Sequence, residues 1–165
     1  MTTSLTVFDN LALHPLIADF PARWLHRLAA CGTPARWPAS TRLLREGHPG
    51  DQLWLISAGL VQLDFHVPGG DVPIERIGGG DVVGWSCLVP PFRSTVGAFV
   101  VEDCHTIELR AGAVRELIAE DPMFGLAFTN RILAVAQRRL RTARGRVADL
   151  CAARSPILTP EGTRA

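Results

Sequence analysis

The sequence has no lysine. Its 17 basic side chains are all arginine, and against 16 acidic residues they leave a formal net charge of +1. No global field therefore draws the chain to nucleic acid or to an anionic membrane surface. No apolar run reaches the roughly 18–20 residues of a membrane span, because charges interrupt every candidate. The start, MTTSLTVFDN, lacks a basic segment ahead of an apolar one, so no secretory signal is visible and a cytoplasmic location is expected. The four cysteines, Cys31, Cys87, Cys104 and Cys151, form no CxxC pair. That spacing argues against a metal centre and a disulfide framework, and they read as buried thiols, with Cys87 the one to test for reactivity. No Ser-His-Asp order, acid pair or metal cluster converges by spacing, so neither enzyme chemistry nor a required cofactor is expected. His14, His26, His66 and His105 read as packing or surface residues. Internal repeats and low-complexity tracts are also missing.

What is present suits one folded domain. The 165 residues are 47% hydrophobic, ample for a core. The chain is organised around Gly78–Val96, GGGDVVGWSCLVPPFRSTV. Its glycines permit tight turns and close backbone approach. Gly84 to Leu88 could form one helical turn with free amides directed at an anion. Arg93 offers a planar guanidinium suited to phosphate, with the hydroxyls of Ser94 and Thr95 beside it. The stretch reads either as a small-anion cradle or as a hairpin loop carrying an incidental arginine.

Residues 8 to 31 read as helical, most strongly from Phe20 to Ala30, where Trp24, Leu25 and Leu28 fall at helical spacing. Strands are expected at 52–57 and 60–67, joined by a turn at Ala58-Gly59. A hairpin loop at Pro68–Asp71 leads to a strand at 72–77, and two more follow at 96–101 and 104–109, split by Glu102-Asp103. Short strands between glycine turns imply a mainly β, α+β fold of the jelly-roll kind, a double-stranded β-helix. Helix returns at Ala111–Glu120, and a long helix is expected from Met123 to about Arg154. On it Leu133, Leu140 and Val147 lie seven apart, as do Ala136, Ala143 and Leu150. That a/d seam points to a homodimer through residues 123–154, the alternative being a seam packed on the chain's own barrel. The same helix is rich in arginine, which suggests either a solvated face or contact with an anionic partner. The expected divisions are helices over 1–32, a β-barrel over 33–110, C-terminal helices over 111–154 and a flexible tail over 155–165.

The order of elements, with LLREGHPGDQLWLISAGLVQLD, GGGDVVGWSCL, PFRST and EDCHTIEL, resembles the cyclic nucleotide-binding domain of the Crp/Fnr regulator superfamily. Arg45-Glu46-Gly47, Ile56 and Gly59 carry the strand pattern, and the likeness spans about residues 33 to 150. The resemblance implies a cassette of the form F-G-E-[LI]-[AS]-L followed by P-R-[SA]-[AST]. In that family its amides and arginine hold a cyclic phosphate and its Glu binds the ribose 2′-hydroxyl. Val83, Gly84, Ser86, Cys87 and Leu88 fill the matching places, and Arg93 and Ser94 match the Arg-Ser pair. Trp85 stands where the Glu would be. A charged acceptor to a buried hydroxyl contributes about 1.5–3 kcal/mol, or about tenfold to a hundredfold in affinity, and an indole cannot accept that bond. On the long helix the base-contacting places fall near Thr142, Ala143 and Arg144, of which Thr142 or Arg144 could serve. The resemblance thus implies a ligand site of Gly84, Trp85, Ser86, Cys87, Arg93, Ser94, Thr95, Thr142 and Arg144, with a cyclic nucleotide as ligand. The roughly dozen residues after Ala153 are too few for a helix-turn-helix, so direct DNA binding is not expected of them. Two functions follow: a ligand-sensing regulatory module signalling through its C-terminal helix, or a nucleotide-independent scaffold that docks a protein partner.

Overall fold

The computed structural model describes residues 5–154. The expected tail at 155–165 lies outside the described residues. Two short helices open the chain, α1 (Val7–Leu13) and α2 (Ala22–Ala30). They do not form the single helical stretch read from 8 to 31. Pro15 and Pro21 break it, since proline lacks the amide that a helix interior needs. In the intervening turn the buried His14 places Nε2 3.1 Å from the Ile56 carbonyl oxygen. Thr6 caps α1, its hydroxyl accepting the Asp9 amide while Asp9 accepts the Thr6 amide in return.

Six antiparallel strands follow: β1 (Gly32–Trp37), β2 (Arg42–Leu44), β3 (Gln52–Val67), β4 (Gly70–Gly78), β5 (Val82–Val83) and β6 (Gly97–Arg110). The sheet runs in the order β1-β6-β3-β4, with β2 on β6 and β5 on β3, and it does not close on itself. This is the jelly-roll fold the sequence implies, but with fewer and longer strands. The two strands expected over 52–67 are one, β3, and those over 96–109 are one, β6. The expected turn at Ala58-Gly59 is a bulge, because the β3–β6 register slips between Ile56 and Val61 while pairing resumes on either side. Gly59 has φ +99°, and a Cβ there would stand 2.4 Å from the Asp103 carbonyl oxygen, so only glycine lets the strands pass.

The core has two parts. Val61, Leu63, Ile77, Val83, Ala98 and Val100 fill the inside of the roll with Trp54 and Ile56. Alternating residues on the other side of β3 and β6, Leu53, Leu55, Ile107 and Leu109, meet the helices instead. There they pack against α2, α3 (Ala111–Glu120) and the start of α4 (Pro122–Arg154). Asp121 sets the turn between the last two helices. Its Oδ1 accepts the Phe124 amide at 3.0 Å and its Oδ2 the Trp24 indole N–H at 3.0 Å. Pro122 then takes the first helical position, where its missing amide costs nothing. Phe124, Phe128, Ile132 and Val135 bury one stripe of α4. Leu126, Leu133, Leu140 and Val147 lie seven apart on another, exposed stripe. Among the described residues no helix is long and apolar enough to cross a membrane.

Candidate functional site

The cassette begins where β5 leaves the sheet. Val83 still pairs with Trp54 of β3. Gly84 then turns left-handed at φ +81°, and a Cβ on it would stand 2.7 Å from the Gln52 carbonyl oxygen and 3.2 Å from the Trp54 ring. The left-handed step launches a single 3-10 turn, Trp85–Leu88, closed by the Cys87 amide on the Gly84 carbonyl at 3.1 Å. This is the helical turn expected at Gly84–Leu88.

The far side of the cassette, Phe92–Thr95, is fastened to the loop between β2 and β3. Gly50 donates its amide to the Phe92 carbonyl at 3.0 Å, Ser94 to His48 at 2.9 Å, and Gly47 to Ser94 at 2.8 Å. Arg93 lies in this clip as an exposed residue, its Nη1 donating to the Gly47 carbonyl at 2.8 Å. Ser94 is buried and Thr95 exposed. The loop carrying Arg45-Glu46-Gly47 and the Arg-Ser pair, Gly47 and Arg93 being 46 residues apart, are thus one structure.

Trp85 is half-buried and packs with Leu88 against the core shared by the sheet and the helices, so it is not among the residues filling the roll. Ser86 and Cys87 are buried. The Cys87 Sγ sits 3.5 Å from the Gln52 carbonyl, and burial pushes its thiol up to about 11. The reactivity singled out for Cys87 is therefore suppressed: the thiolate is the nucleophile, and desolvation disfavours it. Cys151, read from sequence as buried, is instead the exposed thiol, because α4 carries it past the globular body.

On α4 the hydroxyl of Thr142 donates back to the Arg138 carbonyl at 3.3 Å, and Arg144 is exposed. Arg139 of the same helix packs against the barrel with its side chain only 13% exposed. It donates to the Val82 carbonyl, one residue before the cassette strand ends, and stands 3.6 Å from Glu75 and 3.8 Å from Asp81. Sequence reasoning missed this residue, since one arginine in an arginine-rich helix carries no local mark. It also missed Arg115 of α3, whose Nη1 donates to the Cys87 carbonyl at 2.7 Å while its guanidinium lies 4.6 Å over the Phe92 ring. Arg115 thereby braces both limbs of the cassette. A cavity of about 440 Å³ opens beside the clip, lined by Trp37, Arg45, His48, Gly50 and Trp54 among others, and neither Gly84–Cys87 nor Arg93–Thr95 borders it.

Residues 34–121 match the family described as the cyclic nucleotide-binding domain. The chain belongs to that family. A CRP-like cAMP-activated global transcriptional regulator of Mycobacterium tuberculosis is 29% identical over 118 residues, covering 71% of this chain and 51% of that protein. The domain thus spans about half the length of the curated relative it matches. Among solved structures, a cyclic nucleotide-binding domain from Methylobacillus flagellatus superposes with TM-score 0.73 at 22% identity, over 93% of this chain and 85% of the other. The regulatory subunit of a cAMP-independent protein kinase A from Trypanosoma brucei superposes with TM-score 0.66 at 16% identity, over 88% of this chain and 50% of the other. At such identities the likeness establishes the fold alone.

Proposed function

We propose that this domain is a regulatory module that senses a cyclic nucleotide and reports its binding to a partner by repositioning α4. The observation that carries the reading is the cassette: a left-handed glycine, a 3-10 turn and an Arg-Ser pair, with the Trp85 ring packed on the helix-side core rather than inside the roll. The amides of Gly84 to Cys87 would cap the cyclic phosphate, Arg93 would neutralise it, and Ser94 and Thr95 would orient it. Arg93 must give up its bond to the Gly47 carbonyl, a net cost of about 0.5–1.5 kcal/mol, which its pairing with a phosphate more than offsets. Thr142 and Arg144 would come into play only if α4 moves. For anything to be signalled, the ligand must favour one α4 position over the other. Dimerisation through residues 123–154 would couple two such sites along the exposed Leu133, Leu140 and Val147 seam.

A nucleotide-independent scaffold is the second reading, and the replacement of the family's Glu by Trp85 favours it, since the ribose hydroxyl then lacks its charged acceptor. Calorimetry with cyclic AMP and cyclic GMP separates the two. The sensor reading expects heat that Arg93→Ala abolishes. No heat at millimolar ligand removes it and leaves the scaffold, whereas heat unchanged by Arg93→Ala removes Arg93 from the site.

A further inference from the structure

α4 is held in two different ways along its length. From Pro122 to Val135 it is anchored mainly by apolar side chains, Phe124, Phe128, Ile132 and Val135 being buried, with one exposed ion pair from Arg131 to Asp19. Over residues 136–153 no apolar side chain is buried. The helix stays on the barrel there through arginines. Arg138 pairs with Asp81, Arg139 with Asp81, Glu75 and the Val82 carbonyl, and Arg146 donates to the Pro73 carbonyl at 2.9 Å.

The centre of this set is poorly compensated. The Arg139 side chain is only 13% exposed and its partner Glu75 15%. The buried Nε–H of Arg139 finds no hydrogen-bond partner among the described residues, the Glu75 carboxylate standing 3.6 Å away. Taking a guanidinium out of water is costly unless every donor is satisfied, so attraction and desolvation nearly cancel here. A hydrophobic anchor would not depend on carboxylate charge, whereas this one rests on two acids, Asp81 and Glu75. Asp81 serves both arginines, and its backbone is fixed to β3 by the Ile56 amide donating to its carbonyl at 2.9 Å.

We infer that residues 136–154 form an arm clamped to the barrel by Asp81 and Glu75, which hinges just after Val135 and leaves the barrel as a unit when those pairings are broken. The clamp ends on Asp81 and Val82, immediately before the cassette, so any shift of β5 alters its geometry. The proposal is independent of what the cassette binds, because the clamp uses none of Gly84–Cys87 or Arg93–Thr95.

The test uses the exposed Cys151, since Cys31, Cys87 and Cys104 are buried. A second spin label goes on Pro68→Cys, at the exposed tip between β3 and β4. Pulsed dipolar spectroscopy on the full chain, diluted with unlabelled protein, reads the distance within one protomer. The parent is expected to give one narrow distribution, and Glu75→Gln with Asp81→Asn a broad one at longer distance, with the circular dichroism of both alike. Should the amide variant fail to fold, Arg138→Gln with Arg139→Gln decides, removing the clamp from the arm side, and the same broadening is expected. An unchanged narrow distribution in the deciding arm overturns the proposal.

Discussion

Replacing Gly84 by alanine tests whether the cassette is built on its left-handed step. Two separate costs arise from the geometry. An L-residue at φ +81° costs about 1–2 kcal/mol relative to glycine. The new Cβ would also stand 2.7 Å from the Gln52 carbonyl oxygen and 3.3 Å from the Leu53 Cα. Those are backbone atoms of β3, held by pairing with β6, so the clash cannot be relieved by turning a side chain. Overpacking of this kind costs about 1–3 kcal/mol. The expected loss is about 3 kcal/mol, a fall of roughly 6–12 °C in melting temperature for a chain of this length. Urea unfolding measures it, at fixed protein concentration because association would shift the midpoint. Gly145→Ala is the internal comparison. It lies in exposed helix with nothing within 4 Å of an added Cβ, so the same substitution should stabilise by up to about 1 kcal/mol. A Gly84→Ala variant within about 0.5 kcal/mol of the parent, the range of an ordinary surface change, refutes the reasoning.

Three further outcomes are expected. Leu133→Glu with Leu140→Glu places charges on side chains that are 64% and 59% exposed, so the fold is retained while any dimer dissociates; light scattering after gel filtration reads the mass, and an unchanged dimer contradicts the seam. Ellman's reagent at pH 8 should titrate one thiol quickly in the native protein, that of Cys151, and four in guanidinium, since burial raises Cys31, Cys87 and Cys104; a second fast thiol contradicts this. Burial holds the His14 imidazole below its ordinary range, against the opposing pull of Asp81. At pH values above about 6.5 His14 is neutral folded and unfolded. As pH falls through that value the unfolded chain takes up a proton that the folded chain resists, so stability declines. Melting at pH 7.5 and 5.5 should show a smaller drop for His14→Gln than for the parent, and equal drops count against the assignment.

The sequence by itself determined whatever depends on near neighbours. The Gly84–Leu88 turn was legible because glycine and a short polar-apolar run dictate backbone angles locally. Helices at Ala22–Ala30, Ala111–Glu120 and Pro122–Arg154 follow from periodicity, and for the first and last from the proline at the start. The period-two alternation of Val61, Leu63, Phe65 and Val67 predicts one buried face, and it holds for Val61 and Leu63 only, because a register shift after Leu63 leaves Phe65 exposed and buries Asp64. The strand count did not follow, because a bulge at Gly59 and a turn use the same residue types, and only pairing with β6 distinguishes them. Tertiary structure decided where the charges go. Arg93 rests on Gly47, Arg115 braces Cys87 and Phe92, and Arg139 is half-buried while Arg144 of the same helix is exposed. A guanidinium at the end of a long flexible stem takes the acceptor that distant segments bring within its reach, and no spacing along the chain encodes that meeting.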